Sequence, residues 1–314
     1  MKVEGSIAFL GVCGIPTSRG SKHKYERGRL PVKRILGIVA SQRVLGNSEI
    51  LTKAAMEATG ADSQKEMIRL TDLDLKSCKA CYKCLPPDVP CHINDDLNFL
   101  LDKIRAADAV VFAAPCYFLG PQGSIRILQD RFLSVSNKAR EFSGKPCISI
   151  MSYGARGMEG YAEAALNLTP RFLNLNLIDS ASFFGASPAE VLEDPKNLER
   201  VRQMGRGLVD PNYKRDFKAN ECPVCWSDIF RYDGKELICP FCSTKGEIKV
   251  EGQEVKMVFY PRANHRFSEE GRHEHFDVYL NNKKREFLAK RHHYQELQKP
   301  YRSLDWWVSP QTDS

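Results

Sequence analysis

The residues best equipped for chemistry are cysteines, and eight of the eleven fall into two tight groups. Cys78-Lys-Ala-Cys81-Tyr-Lys-Cys84 sets three thiols at three-residue spacing, and Cys91 follows across a short proline-containing loop. Three thiols so spaced can bend around one inorganic core, and the fourth closes its shell. Short cysteine runs of this kind supply one thiolate per iron of a [4Fe–4S] cube. Cys91 is followed by His92, not proline, so the four most simply hold one self-contained cluster. Zinc is the alternative, although structural zinc usually takes two Cys-x2-Cys knuckles well separated in sequence. The second group has that form: Cys222-Pro-Val-Cys225, thirteen residues, then Cys239-Pro-Phe-Cys242. It predicts a tetrahedral four-thiolate site. Cys13, Cys116 and Cys147 stand alone, a pattern of metal sites and not of a disulfide framework.

Composition sets wide bounds. At 314 residues, 42% apolar and 27% charged, the chain is globular, neither disordered nor fibrous. The net charge of +7 is not gathered into one run, so nucleic acid is permitted but not demanded. No apolar run approaches a membrane span. Ile7 to Ile15 is apolar, but it is short, Glu4 precedes it, and no small-x-small cleavage site follows. Leu10-Gly-Val-Cys13 carries Val12 where a lipobox wants a small residue. Residues 1–31 are read as an N-terminal arm, and the compartment as a reducing cytoplasm.

The elements that must position the cysteines begin at Lys33. Arg34 to Ala40, Glu66 to Leu70, Ala109 to Ala114, Pro146 to Met151 and Leu177 to Phe184 read as strands, the longer ones nearly continuous apolar runs. Helical patterns alternate with them: from Ile50 to Ala58, Asp95 to Arg105, Gln122 to Val135, Tyr161 to Leu173 and Ala189 to Gly205. This predicts an α/β fold, a doubly wound five-stranded parallel sheet over residues 32–208, with the cysteine insertion at 78–91. Ligands in such sheets sit outside the carboxyl ends of the strands. Loops at three of those ends, Ser41–Ser48, Pro115–Gly120 and Ser152–Gly157, carry small and polar residues. Backbone N–H groups at a helix N-terminus, hydroxyls and Arg43 in the first are the parts that hold a phosphate dianion.

Here the residues resemble a family. Ala40-Ser-Gln-Arg-Val-Leu-Gly-Asn-Ser48 is similar to the phosphate loop of the flavodoxin-like NAD(P)H-dependent FMN reductases, usually Gly-Ser-x-Arg-x-x-Gly-Asn-Thr. Ala114-Pro-Cys-Tyr-Phe-Leu-Gly120, with Gly123-Ser124, Arg126 and Asp130-Arg131, resembles their second flavin loop and its helix. The cysteine motif after the second strand is that of the iron–sulfur flavoproteins of the superfamily. The resemblance covers about residues 33–205 and implies strand order 2-1-3-4-5. It implies FMN phosphate on Ser41, Arg43, Gly46, Asn47 and Ser48. It places the flavin ring against Pro115, Cys116, Tyr117, Phe118, Leu119, Gly120, Ser152, Tyr153, Gly154 and Gly157. It also implies a homodimer or homotetramer supplied with electrons by a ferredoxin-like carrier or a reduced nicotinamide. Cys116 replaces the usual valine and is read as a small hydrophobe; Arg126 and Arg131 are read as helix-surface or dimer residues.

Beyond a linker at 210–216, residues 209–261 are read as a zinc ribbon, with a rubredoxin-like iron site as the alternative. Rubredoxin-type knuckles place glycine after the second cysteine, where this chain has Trp226 and Ser243, which favours zinc. Residues 262–314 form a C-terminal extension. Its histidines are read as polar surface, residues 282–297 as an amphipathic helix on the ribbon or a partner, and Trp306-Trp307 as an anchor for the tail. Together these readings predict a flavin oxidoreductase that converts between two-electron and one-electron transfer. The competing expectation is a redox-responsive binding protein whose ribbon contacts nucleic acid or a protein. Base-stacking aromatics along a basic stripe are not evident, so nucleic acid is the weaker expectation.

Overall fold

A computed structural model describes residues 33–86, 89–135 and 139–308. The reading of residues 1–31 as an arm lies outside these.

One sheet contains β1 (Arg34–Val39), β2 (Gln64–Arg69), β3 (Ala109–Tyr117), β5 (Pro146–Tyr153) and β6 (Asn176–Phe184), all parallel, in the order β2-β1-β3-β5-β6. Counting only these strands, that is the 2-1-3-4-5 order expected. A two-residue strand, β4 (Gly120–Pro121), turns back antiparallel on the end of β3. Side chains alternate across a strand. Ile35 and Val39 of β1 accordingly enter one core and Leu36 and Ile38 the other. Helices α1 (Asn47–Glu57) and α5 (Pro195–Gly207) close the first core. The second is closed by α2 (Leu97–Ala106), α3 (Gly123–Asp130) and α4 (Ala162–Phe172).

Two helices are shorter than their apolar patterns. The pattern from Gln122 ends as α3 at Asp130 and continues as a tighter 3-10 turn, Arg131–Ser134. The pattern from Ala189 is cut because Asp194 caps a fresh helix that starts at Pro195. The Asp194 carboxylate accepts the Lys196 N–H at 2.9 Å, and proline suits the first helical position.

The C-terminal region builds a second, antiparallel sheet in the order β10-β9-β8-β7 from Arg231–Tyr232 (β7), Leu237–Ile238 (β8), Lys245–Glu251 (β9) and Glu254–Tyr260 (β10). It meets the parallel sheet's helices at the end of α4. Leu168 and Phe172 pack against the cysteine knuckles, and Phe172 meets Phe267 edge-on at 5.4 Å. A helix then starts at Glu269 (α6, Glu269–Arg272), passes through a π-helical stretch at His273–Tyr279 and resumes as α7 (Leu280–Ala289). A break at Lys290 separates it from α8 (Arg291–Gln298), so the single helix expected over 282–297 is two. None of the residues from His273 to Gln298 is buried. Trp306 and Trp307 are 80% and 92% exposed, so they do not anchor the tail within this chain.

The two helices of the first core cross at contact distance because α5 carries Gly205. A Cβ there would lie 2.0 Å from the Ala55 carbonyl oxygen. Alanine improves helix propensity by about 1 kcal/mol, but forced overpacking costs about 1–3 kcal/mol and more against backbone. The clash wins. Gly205→Ala is expected to lower the urea midpoint, by about 1–2 kcal/mol of net stability; an unchanged or raised midpoint would show that the helices can slide apart freely.

Candidate functional site

The carboxyl ends of β1, β3, β5 and β6 surround a cavity of about 170 Å³. It is lined by Ser41, Arg43, Gly46, Asn47, Ser48, Pro115, Cys116, Tyr117, Ser152, Tyr153 and Gly154, all named from the sequence, and by Gly185 and Ala186, which were not. These last two follow β6 directly, and the rule that ligands gather at carboxyl ends of parallel strands pointed at them. Phe118, Leu119, Gly120 and Gly157 are not in the lining.

The first loop is held from below. At the end of β2, Arg69 donates to the carbonyls of Ser41 and Arg43 (3.3 Å for the latter) and pairs with Glu49 at 2.7 Å. Glu49, 6% exposed, also accepts the Leu45 N–H at 2.9 Å and pairs with Lys53. Burial opposes its charge, but hydrogen bonds from Lys53, Arg69 and Leu45 prevail and bring its pKa down to about 2. Leu45 is forced into the left-handed region (φ 52°), which lets the chain turn into α1. The first turn of α1 then offers N–H groups that have no acceptor within the helix.

The cavity holds the chemistry a ribityl phosphate and flavin require. Ser48 and Ser152 hydroxyls pair at 2.8 Å. Asn47 donates to the Gly185 carbonyl at 2.7 Å, and its buried Oδ1 has no partner among the described residues. A bound donor would satisfy it. Arg43 spends one donor on the Ala186 carbonyl at 3.0 Å. Side chains larger than those present would fill the far wall: a Cβ on Gly185 would meet Asn47 Nδ2 at 2.9 Å, and one on Gly154 would meet Ala186 at 3.1 Å.

Phe118 and Leu119 form the tip of the β3–β4 hairpin, with φ of 49° and 68°. A two-residue turn with both centres left-handed usually takes Asn-Gly. Here the strain is offset by a clamp: the Leu119 carbonyl accepts the Tyr161 N–H at 2.8 Å, and Gly160 must be glycine because a Cβ would come within 2.4 Å of that carbonyl. Phe118 is fully exposed, and Leu119, Tyr117, Met158 and Tyr161 add further exposed apolar surface at the mouth. The Cys116 thiol donates to the carbonyls of Met158 and Glu159, and burial pushes its pKa up. It stays protonated and is a poor nucleophile.

The rim cysteines follow β2. Cys84 is buried, Cys78 and Cys91 half-buried and Cys81 exposed. Burial raises the Cys84 pKa, and the charges of Cys91, Cys81 and Cys78 raise it further, so the four share one electrostatic neighbourhood. Ala80 and Tyr82, between the cysteines, are both left-handed, and Ala80 N–H points at Cys78 Sγ (3.4 Å). Among the described residues only the ribbon thiols lie within 4.8 Å of one another. The looser rim set suits a polynuclear centre, whose thiolates sit on separate metal atoms. Arg126 is exposed, as expected, but Arg131 is not. It lies under the cysteine loop as one of the largest fully buried side chains, because its charge is paired there with Asp95.

The ribbon thiols are fully enclosed. Cys222 and Cys242 sulfurs are 3.4 Å apart, and those of Cys225 and Cys239 3.3 Å. A metal with 2.3 Å bonds to four thiolates separates them by about 3.8 Å, so the cage fits a single ion. Hydrogen bonds from Cys225, Cys239 and Cys242 pull the Cys222 thiol far down. The two knuckles are alike: Trp226 N–H bonds the Cys222 carbonyl (2.8 Å) and Ser243 N–H the Cys239 carbonyl (2.9 Å). Both residues are left-handed, φ 64° and 66°, so the knuckle geometry is kept without glycine. The Arg171 guanidinium lies over the Trp226 ring at 4.9 Å and feels the charge of three of these thiols. The ribbon joins α4 at Phe172, whereas the hairpin clamp at Tyr161 adjoins its other end; eleven helical residues put about 16 Å between them.

Residues 33–189, half the chain, match the family model of "NADPH-dependent FMN reductase". The chain belongs to that family. FMN reductase membership makes it a flavin-dependent oxidoreductase. Relatives include an "Iron-sulfur flavoprotein" of Methanocaldococcus jannaschii, 26% identical over 190 residues that cover 56% of this chain and 96% of that one. Another, from Methanosarcina thermophila, is 27% identical, covering 56% and 94%. A "Flavone synthase" of Aspergillus candidus is 24% identical over 255 residues, 69% of this chain and 78% of that protein. Among solved structures, a "flavone reductase" superposes with a TM-score of 0.72 at 20% identity, over 88% of this chain and 100% of the other. That coverage takes in the C-terminal region as well as the parallel sheet. Among the described residues no helix is long and apolar enough to cross a membrane.

The Glu49 contacts make the stability of the chain depend on pH. Its pKa is lower folded (about 2) than unfolded (4.5), so its contribution is complete above pH 4.5 and disappears as pH falls through 2. Glu49→Gln is expected to cost about 1–3 kcal/mol in urea unfolding at pH 7, with the gap to the parent narrowing steadily below pH 4.5. A gap independent of pH would show that the carboxylate is not charged and paired.

Proposed function

We propose that this flavin-dependent oxidoreductase holds FMN in the cavity at the sheet's carboxyl end and a [4Fe–4S] cluster on Cys78, Cys81, Cys84 and Cys91, and passes electrons between them. FMN exchanges a hydride or single electrons, and the cluster exchanges one electron at a time. The observation that carries the reading is the cavity itself. Four strand ends converge on Asn47 Oδ1, Ser48, Ser152 and Gly185, with the anion-binding turn of α1 below them. The rim cysteine spacing and the iron–sulfur flavoprotein relatives support the cluster. In this reading these residues bind, orient and exclude water while the cofactors carry the redox step.

The donor in this reading is a reduced nicotinamide or a ferredoxin-like carrier, and the setting a reducing cytoplasm in which thiolate centres persist. The exposed apolar mouth around Phe118 suits a planar conjugated acceptor, or a second copy in a homodimer or homotetramer. The flavone-acting relative supports the planar acceptor. The ribbon holds zinc and braces the base of α4. Arg215 and Arg272, which could have met nucleic acid, are turned inward: Arg215 pairs with Glu221, and Arg272 donates to the Phe172 carbonyl at 2.9 Å.

Anaerobically purified protein is expected to be brown, to release FMN on denaturation, and to analyse near four irons and about one zinc per chain. Colourless, iron-free protein of normal fold would refute the cluster. Chelation of the ribbon metal is expected to lower the melting temperature while leaving FMN bound, because the cage and the cavity lie at opposite ends of α4. Flavin loss in step with zinc would contradict that separation.

A further inference from the structure

We infer that Arg131 is a positioning residue that sets the reduction potential of the rim cluster, by donating a hydrogen bond from a buried, permanent positive charge to the Cys91 sulfur. The inference rests on the reading of the four rim thiols as cluster ligands. Arg131 follows α3 directly, at the start of the 3-10 turn. Its side chain and that of Asp95 are each 1% exposed. One Nη donates to the Lys76 carbonyl at 2.7 Å and to Asp95; the other reaches Asp95 Oδ1 and Cys91 Sγ, both at 3.3 Å. Asp95 in turn accepts the N–H groups of Lys76 (3.0 Å) and Leu97 (3.3 Å). Lys76 lies just before the first rim cysteine and Asp95 just after the last, so the pair clasps both ends of the loop.

A buried ion pair is an expensive clasp. Apolar residues of similar volume commonly serve stability as well or better, so holding the loop does not by itself call for arginine. What an apolar substitute lacks is a charge and a donor beside a thiolate. Guanidinium cannot lose its proton in a protein, and its Nε, also buried, has no acceptor among the described residues. The donor set therefore exceeds what the loop consumes. Hydrogen bonds to ligand sulfurs, net charge and solvent exposure set the potentials of iron–sulfur clusters. Reduction adds one electron, from the flavin or an external one-electron carrier, and one unit of negative charge to the cluster. Arg131 keeps its proton throughout. A fixed positive charge in contact with a ligand sulfur favours the more negative, reduced form and raises the potential. Asp95 offsets part of that charge and fixes its direction.

The test is a redox titration of the cluster in anaerobically purified full-length protein, followed by electron paramagnetic resonance, with iron content measured on each sample. Arg131→Gln is expected to keep iron and to make cluster reduction at least tenfold less favourable, a shift of 59 mV for one electron. Arg131→Lys restores part of the shift. Asp95→Asn leaves the guanidinium with less counter-charge and moves the potential the opposite way. A purely mechanical clasp would not produce shifts of opposite sign. The inference fails if Arg131→Gln retains iron at an unchanged potential, or if Arg131→Gln and Asp95→Asn shift in the same direction. It also fails if both lose iron and Arg131→Lys loses it equally. Absence of iron from the parent protein would instead remove the cluster reading, and this inference with it.

Discussion

A parallel sheet covered by helices on both faces has no free face on which to do chemistry; only its ends reach solvent. In this chain every strand of that sheet runs the same way, so the loops after β1, β3, β5 and β6 must all emerge at one end. Short of their carboxyl ends, the strands' apolar side chains are consumed by the two cores. Binding has to be built from what the strand ends, their loops and the first turn of α1 supply: hydroxyls, backbone amides, one asparagine and glycines that keep the wall thin. The rest of the site follows from keeping these loops in place. Arg69 and Glu49 do so for the first loop, and the Leu119–Tyr161 clamp for the second.

The same economy explains the arginines that are turned inward. Asp179, fully buried at the foot of β6, receives both Nη groups of Arg200 at 2.7 Å and the Tyr213 hydroxyl, whose pKa burial and Asp179 push up to about 12. Arg215 stacks on Trp226 and pairs with Glu221, joining this foot to the ribbon. Such pairs are costly in apolar surroundings and are kept where partners with exact geometry matter more than net stabilisation. Arg200 holds the linker against the sheet, Arg171 stands by the ribbon thiols, and Arg131 stands by the rim thiols.

Much of this was legible in the sequence because the signals were strong and local. Apolar runs bounded by glycine and small polar residues identified five strands, and Cys-x2-Cys spacing located both thiol groups. The loops around the cavity followed from one rule about strand ends, which also covered Gly185 and Ala186 had it been applied to the fifth strand, and the family resemblance named the lining residues. What escaped was long-range. Nothing local distinguishes the buried Arg131 from the exposed Arg126 five residues earlier, since only tertiary placement brings Asp95 and Cys91 within reach. The amphipathic pattern after residue 282 spoke of an apolar stripe but not of its occupant, and within one chain the stripe stays exposed. The turn at Phe118-Leu119 was equally hidden, because its left-handed residues carry side chains that ordinarily avoid that conformation.

That last feature bears on how the two thiol centres divide the work. Strain of about 1–3 kcal/mol per left-handed residue persists only when surroundings over-determine it. Here it is spent to hold an exposed phenylalanine at the mouth of the cavity, at the near end of α4. The ribbon occupies the far end, beyond a full helix, enclosed and gripped by aromatic and guanidinium contacts. A centre enclosed in that way, beyond the far end of a helix about 16 Å long, is set apart from the hairpin that flanks the cavity. It is well sited to fix the helix whose other end clamps the strained hairpin. The rim thiols, with Cys81 exposed and Cys91 tied to a buried charge, have the opposite character: one side open to a partner, the other electrostatically defined. The asymmetry in burial between the two cysteine groups, more than their shared ligand chemistry, favours the proposed division, with exchange at the first and bracing at the second.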